Sequence, residues 1–336
     1  MSIAILPENF TARPATMADL EAVVALYNAC SMKEVGKLTA EESELRTDWN
    51  MPTLNLETDT RVVLAPGGEL AGCANVWDCT PHVRIWTDVD VHPRYEGYLV
   101  GTHLRRWVDE RARQSVAKAP SDARVVSRCG VHSTNTAAQE LLHQHGYQVV
   151  RHFFEMEIEL DTPPPEPVVP EGIVIRPFVR EQQTHALVLA VREAFKDHWG
   201  FVECPIEEDL AEWETWMDGP TFDESLWLLA MDGDEIAGFS LCFDVVAEGP
   251  HVGHVAELGV RRAWRRRGIA LAMLHHSFGT LYGRGKTVVT LGVDGQSLTG
   301  ATRLYEKAGM HVRNRTICFE KELRSGKDLT TQSIKD

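Results

Sequence analysis

A basic turn in the second half of the chain has the residue types and spacing of a phosphate-binding site. Residues 265–270, Arg-Arg-Arg-Gly-Ile-Ala, follow the apolar run Leu-Gly-Val at 258–260 and precede a helical run at 271–282. The first N–H groups of a helix have no intrahelical partner, and its N-terminus carries partial positive charge. A strand that ends in such a turn and continues into a helix therefore predicts a site for a phosphate-bearing cofactor.

The elements that position this turn occur twice. Arg13-Pro14 is echoed by Arg176-Pro177, and residues 68–72 are echoed by 234–238, at offsets of 163–169 residues. Between the copies, residues 161–170 contain five prolines, which disfavour helix and remove donors from a strand ladder. We therefore predict an N-terminal domain at 1–160, a Pro-rich linker at 161–171, a C-terminal domain at 172–323 and a disordered tail at 324–336.

Periodicity predicts the same series of elements in each half: two helices, β-rich segments, the turn with its helix, a strand, a short helix and a last strand. In the second half we expect strands near 225–231, 235–244, 251–260, 287–293 and 313–322, and helices near 181–196, 207–217, 268–282 and 299–308. The fold class is therefore α/β (α+β), with two tandem domains, each a mixed, mostly antiparallel twisted sheet flanked by helices.

Composition limits the partners. The chain has 336 residues and a formal charge of −15, which argues against nucleic-acid binding and favours cationic or neutral substrates. Seven cysteines without a CxxC pair indicate scattered reduced thiols rather than disulfides or a metal site. Residues 1–10 do not resemble a secretion signal and no apolar run approaches a bilayer span, so we expect a cytoplasmic protein that does not enter membranes. The sequence does not decide between a monomer and a homodimer.

Two motifs at compatible spacing resemble those of a known family. Arg265-x-x-Gly268-x-Ala270 resembles the acyl-CoA pyrophosphate loop of the GNAT N-acetyltransferases, and Ala301-x-x-Leu304-Tyr305-x-x-x-Gly309 resembles their later helix. The resemblance implies acetyl-CoA as cosubstrate, no metal, and a tandem pair of GNAT domains. It implies these cofactor-binding positions: Leu258, Gly259, Val260, Arg265, Arg266, Arg267, Gly268, Ile269, Ala270, Ser297 and Arg303. Ser297 departs from the Asn that many relatives carry; a serine can still cap the helix but reaches less far.

The first half departs from the motif. Glu96 and Leu99 stand where the second half has the motif's arginine and glycine, and Leu142 stands where it has the tyrosine. A carboxylate repels pyrophosphate, and leucine lacks the backbone freedom of glycine. We therefore expect a degenerate CoA loop and a structural or substrate-shaping role for this half. A silent second CoA site is the alternative.

The resemblance implies direct transfer of an acyl group to an amine, which needs a general base because an ammonium has no lone pair. His254 and Glu257 are both candidates, and Tyr305 is the candidate acid for the departing thiolate. Strict alternation puts His254 and Glu257 on opposite faces of their strand, whereas a β-bulge would change that. Backbone N–H groups around Val260 would stabilise the developing oxyanion.

Substrate selection is expected at the start of the second domain, where Asp197 and Trp199 combine a carboxylate with an aromatic ring suited to an ammonium. The predicted function is transfer of an acetyl group from acetyl-CoA to a primary amine on a small molecule, in the C-terminal domain. The alternative is a non-catalytic acyl-CoA-binding regulatory protein of the same fold. The amine and the acyl-chain length stay open.

Overall fold

The computed structural model describes residues 6–334. The start of the predicted N-terminal domain (residues 1–5) and the end of the predicted tail (335–336) lie outside this range. The first half of the chain forms β1 (Thr11–Arg13), α1 (Leu20–Glu34), α2 (Glu42–Trp49), α3 (Leu56–Asp59), β2 (Thr60–Leu64), β3 (Leu70–Trp77), β4 (Arg84–Val91), α4 (Val100–Ser115), β5 (Val125–His132), α5 (Thr136–Gln144) and β6 (Gln148–Glu159). The second half forms β7 (Ile173–Pro177), α6 (Arg180–Phe195), α7 (Ile206–Met217), β8 (Trp227–Asp232), β9 (Glu235–Phe243), β10 (Val252–Val260), α8 (Ile269–Gly283), β11 (Val288–Asp294), α9 (Ala301–Lys307) and β12 (His311–Arg324).

These elements form two compact units that exchange segments of sequence. The first unit contains the chain up to Arg151 together with residues 203–219 and 316–329. The second contains residues 152–202, 220–315 and the chain from Thr330 onward. Most of β6 thus belongs to the second unit, and most of β12 belongs to the first.

In the first unit the strand order is β1-β2-β3-β4-β5-β12. Neighbouring strands run antiparallel except β4 and β5, which are parallel. Helix α7 also packs in this unit, where Glu212 accepts a hydrogen bond from Thr53 at 2.9 Å and Glu208 accepts one from Thr80 at 3.0 Å.

In the second unit the order is β6-β11-β10-β9-β8-β7, again antiparallel except for one parallel pair, β10 and β11. Helix α8 covers one face of this sheet: Ile269 and Met273 are buried against Leu258 and Val260. The mixed, mostly antiparallel sheets with flanking helices confirm the predicted fold class.

Part of the segment predicted as a disordered tail makes specific contacts. Thr331 donates its N–H to the Phe201 carbonyl at 2.8 Å, and its own carbonyl accepts from Gly200 at 2.7 Å. Backbone and polar groups make these bonds, so hydrophobic periodicity does not reveal them. Among residues 6–334, no helix combines the length and apolar character that crossing a bilayer requires.

Candidate active site

The parallel strands β10 and β11 pair over only part of their length. Their pairs run from Val252–Val288 to Val255–Leu291, whereas β10 stays paired with β9 as far as Val260. Beyond Val255, the edge of β10 that faces β11 has no ladder partner among the described strands. Backbone groups on that edge can bond to an extended ligand that enters between the two strands.

A β-bulge decides where the two candidate bases point. His254 is paired with Phe243 and Glu257 with Leu241, with a register shift between Val255 and Glu257. Phe243 and Leu241 lie two positions apart on β9 and so share a face of the sheet. His254 and Glu257 therefore lie on the same face, opposite to α8, which is the alternative that a bulge was expected to produce.

Glu257 and Tyr305 lie near enough for the charge of Glu257 to affect the Tyr305 phenol, and burial disfavours the charged form of both groups. Desolvation alone raises the pKa of Glu257 to about 7, and within residues 6–334 no hydrogen bond reaches its carboxylate. Burial, together with the nearby negative charge of Glu257, raises the pKa of Tyr305 to about 12. At neutral pH a large fraction of Glu257 can thus accept a proton, and the Tyr305 phenol is protonated.

His254 has a different environment. Its Nδ1 lies 2.8 Å from the Thr290 hydroxyl, which is itself buried. Burial is the main cause that lowers the pKa of this imidazole; Glu155 and Glu248 oppose the shift and Arg313 adds to it. The ring is therefore mainly neutral at pH 7, and it shares a face of the sheet with Glu257.

The turn after β10 has the backbone form of an anion cradle. A short 3-10 helix (Arg262–Trp264) leads to Arg266 at φ 65° and to Gly268 at φ 90°, and α8 begins at the next residue. A left-handed conformation is cheap for glycine but costs arginine on the order of 1 kcal/mol, and such strain concentrates at functional sites. A Cβ added at Gly268 would meet only Pro170, at 4.0 Å, so the cradle is open. These residues fit a phosphate group.

Arg265 holds this turn in place rather than facing outward. Its Nε donates to the Val260 carbonyl at 3.1 Å, one Nη donates to the Ala194 carbonyl at 2.9 Å, and the other lies 2.5 Å from Asp197. Arg262 binds the second oxygen of Asp197, also at 2.5 Å. The Asp197 side chain is only 6% exposed, and each of its oxygens accepts a bond from an arginine of the turn, which anchors the turn. Its contact with substrate stays a prediction.

The other predicted positions surround the turn or lie near the start of α9. The Arg267 side chain is 55% exposed with Asp232 at 3.7 Å, and Arg303 is exposed. Ser297 accepts a hydrogen bond from the N–H of Ala301, the first residue of α9, at 3.3 Å. Trp199 donates from its indole to Gln332 at 3.0 Å. Arg267 and Arg303 are therefore accessible to an anion, whereas Ser297 and Trp199 already have protein partners.

The first unit repeats the turn with different side chains. Gly97 has φ 82° and Leu99 has φ 63°, which matches the left-handed pair of the second unit. Leucine thus adopts the conformation that it was expected to disfavour. Glu96 is held by Lys33 at 2.5 Å, and both residues line a cavity of about 240 Å³ beside the end of β4. Leu142 is buried in an apolar cluster at the position equivalent to Tyr305. The turn of the first unit thus has the same backbone conformation, but this unit lacks the arginine and the tyrosine that the second unit has at the equivalent positions.

Residues 20–147 and 188–310 both match the model of the acetyltransferase (GNAT) family. Together with the repeated sheet and turn, these matches show that the chain belongs to the GNAT family of acetyltransferases and carries two copies of its domain. The predicted resemblance to tandem GNAT proteins is thereby confirmed.

The chain is similar to proteins named mycothiol acetyltransferase. It is 27% identical to that of Streptomyces scabiei over 91% of this chain and 93% of the relative, and 31% identical to that of Nocardia farcinica over 72% and 76%. Among solved structures, a GCN5-related N-acetyltransferase from Sphaerobacter thermophilus is 38% identical, with a TM-score of 0.78 over 97% of this chain and 99% of that one. A tandem GNAT protein from the clavulanic acid biosynthesis pathway, at 12% identity and a TM-score of 0.72 over 95% and 100%, shares the fold.

Proposed function

We propose that the second unit transfers an acetyl group from acetyl-CoA to a primary amine on a small molecule. The observation that carries this proposal is that Glu257 stands at the unpaired edge of β10, shortly before the open turn, near enough to Tyr305 for its charge to raise the pKa of the phenol. A base near neutrality and a protonated phenol at one place are the two proton carriers that the reaction needs.

Glu257 removes a proton from the bound ammonium, which frees the lone pair of the amine. The amine nitrogen then forms a bond to the acyl carbon, and negative charge grows on the carbonyl oxygen, where N–H groups around Val260 can receive it. When the C–S bond breaks, the Tyr305 phenol gives its proton to the departing thiolate, and the phenolate takes back the proton that the attacking nitrogen loses as the amide forms. His254, neutral and bonded to Thr290, stays a second candidate for the base.

Acetyl-CoA supplies the activated acyl group when it is bound. Backbone N–H groups of residues 266–270 would hold its pyrophosphate, with exposed Arg267 as a further cation, while Arg265 keeps the turn in shape. The first unit is proposed to bind CoA poorly or not at all, because Glu96, paired with Lys33, stands in the place of Arg265, so the turn lacks the arginine of the motif.

For the acceptor, the proposal names only its chemical class, a primary amine on a small molecule. The relatives named mycothiol acetyltransferase make a mycothiol precursor one candidate, beside other small amines. A non-catalytic acyl-CoA-binding protein is the competing function. The raised pKa of Glu257 speaks against it, because an unpaired, desolvated carboxylate costs stability that a binding protein does not need to lose.

Release of free thiol from acetyl-CoA across a panel of small amines tests the proposal. We expect turnover that Glu257→Gln reduces by at least a hundredfold, whereas the control Asp88→Asn, at the equivalent position of the first unit, leaves it unchanged. Calorimetry should find about one acetyl-CoA per chain. Absence of turnover with every amine contradicts catalysis, and a stoichiometry near two contradicts the degenerate first site.

A further inference from the structure

The cavity of about 240 Å³ beside the end of β4 has the form of a small-molecule site. The C-terminal part of α1 forms one wall, the last residues of β4 form a second, and the turn before α4 and the start of α5 form the others. Apolar side chains, among them Val91, Pro93 and Leu141, make up much of the lining. Concave, largely apolar sites with a few polar groups are typical of small organic ligands. The cavity lies entirely within the first unit, to which no reaction has been assigned.

The edge of β4 that reaches this cavity has no strand partner. β4 is paired with β5 only over residues 84–86, whereas it stays paired with β3 as far as Val91. His92 donates its N–H to β3, so the peptide groups of Val91 and Val89 point to the opposite edge, because successive residues of a strand alternate. The Val91 carbonyl there accepts a bond from the Cys30 thiol at 3.2 Å. Val89 has no ladder partner on this edge among the described strands, so its carbonyl can accept a bond from a ligand.

Asp90 brings a carboxylate to the cavity, and no residue of the range 6–334 donates a hydrogen bond to it. Asp90 is paired with Cys73, whose sulfur lies 4.0 Å from the Tyr27 hydroxyl of α1, so its side chain is on the face of the sheet that α1 covers. Burial, followed by the negative charges of Asp88 and Glu34, raises the pKa of Asp90 to about 7. A half-buried carboxylate without a donor indicates a ligand that supplies one, and a cation would favour its charged form.

The charged groups around the cavity favour a cation over a phosphate. Within the described part of the chain, its lining contains one positive side chain, Lys33, and three negative ones, Glu34, Asp90 and Glu96. Lys33 is engaged by Glu96 at 2.5 Å. Glu34 accepts a hydrogen bond from the Asn135 amide, which carries no charge. A phosphate would thus meet carboxylates here, whereas the turn of the second unit offers it arginines.

We propose that this cavity binds a small primary amine in its ammonium form, with the nitrogen at Asp90 and the carbon chain against Leu141. An ammonium has three N–H donors and no acceptor, so it can bond to the Asp90 carboxylate and to the Val89 carbonyl together. The ring of Tyr95 also lines the cavity, and an aromatic face attracts a cation. The first unit then binds an amine without turning it over. This inference goes beyond the proposed acetyltransfer and does not depend on it.

Calorimetry with butylammonium and 1-butanol tests this, because the two probes share a carbon chain and differ in charge. Every chain measured carries Glu257→Gln, which removes the proposed base of the second unit from the comparison. At about pH 8 the amine is protonated and most of Asp90 is ionised. We expect butylammonium to bind about tenfold more tightly than 1-butanol, and Asp90→Asn to remove this difference. Asp122→Asn is the matched control, because Asp122 lies in the same unit, is exposed and is not part of the lining.

The outcomes concern the first unit alone and leave acetyltransfer by the second unit untouched. No binding of butylammonium, or equal affinity for the two probes, overturns the ammonium site. The same holds if Asp90→Asn binds butylammonium as tightly as Asp122→Asn does. If Asp90→Asn does not fold, Ala138→Leu is measured instead, because Ala138 lines the cavity and a larger side chain fills it. That variant should bind butylammonium about tenfold more weakly, and an unchanged affinity overturns the proposal.

Discussion

Replacing Asp197 with Asn should show that the cofactor turn is held by a buried ion pair. The Asp197 carboxylate receives Arg262 and Arg265 at 2.5 Å each, and Arg265 also donates to Val260 at the end of β10. Asparagine keeps the shape of the side chain but removes its charge. Its amide can satisfy at most one of the two guanidinium groups through oxygen, because its nitrogen is a donor.

The expected loss follows from the exposure of the partners. Removing one partner of a fully buried pair costs about 3–5 kcal/mol. Asp197 is 6% exposed, but Arg265 is 24% and Arg262 is 51% exposed, and water can partly solvate both once they are released. We therefore expect a loss of about 2 kcal/mol in the free energy of unfolding. A turn released from Asp197 must also be ordered by the ligand, so acetyl-CoA should bind about tenfold more weakly.

The stability that the Asp197 ion pair contributes should decrease at low pH. Hydrogen bonds from Arg262 and Arg265 overcome desolvation and lower the pKa of Asp197 below its ordinary value of 3.8. This stabilisation is complete above the unfolded-state pKa and is lost as the pH falls through the folded-state pKa. The difference in stability between wild type and Asp197→Asn should thus be constant from pH 5 to 7 and decrease below about pH 4.

Urea unfolding and acetyl-CoA calorimetry measure both effects. Glu193→Gln is the control, because Glu193 lies on α6 and pairs with Arg261 at 2.6 Å but is 40% exposed. Surface pairs of this kind contribute at most about 1 kcal/mol. If Asp197→Asn loses no more stability than Glu193→Gln, or if it binds acetyl-CoA as tightly as the wild type, Asp197 does not anchor the turn.

Three further predictions concern the reaction and the sheet. Glu257→Gln should abolish the rise of kcat/KM with pH that is centred near pH 7 in the wild type. The variant should also be more stable than the wild type above pH 7, by about 3 kcal/mol, because the pKa of Glu257 is higher in the folded state than in the unfolded state. A pH–rate profile and urea unfolding check this, and a persisting ascending limb would assign the base elsewhere. Tyr305→Phe should lower kcat at least tenfold with little change in acetyl-CoA affinity, as stopped-flow and calorimetry would show; unchanged kcat removes its acid role. Gly259→Ala places a methyl against the ring of Phe239 and should cost about 1–3 kcal/mol in the free energy of unfolding. Gly279→Ala in α8 is the control: no atom lies near the added methyl, so it should be neutral or stabilising in the same unfolding assay.

Local patterns were sufficient to predict the fold class and the position of the turn. Alternating apolar residues indicate β9 and β10, and a glycine between a strand and a helical run indicates the start of α8. Each of these signals lies within a few residues of the structure it predicts. The same local patterns also predict the repeated domain, because each half of the sequence shows the same order of elements.

Features that depend on distant residues were not predictable in this way. The β-bulge that places His254 and Glu257 on the same face of the sheet depends on how β10 aligns with β9. Alternation along one strand does not show where the register shifts. Asp197 and Arg265 are 68 residues apart in the sequence, so the residues around Asp197 do not reveal that it binds this arginine. In the same way, a strand pattern at 148–159 does not show which sheet β6 completes.

In the second unit, the environments of Asp197 and Glu257 shift the pKa values of these two carboxylates in opposite directions. Asp197 has a lowered pKa because two arginines satisfy it, and its charge stabilises the fold. Glu257 has a raised pKa because burial is not compensated, so its charge destabilises the fold and is available for a proton. A raised pKa alone does not make a catalytic site, however, since burial also raises the pKa of Asp88 in the first unit to about 6. What distinguishes the units is the residue near this carboxylate: the Tyr305 phenol lies near enough for the Glu257 charge to affect its pKa, whereas Leu142 stands at the equivalent position of the first unit. Under the proposed function, the first unit therefore lacks the phenol that would protonate the departing thiolate.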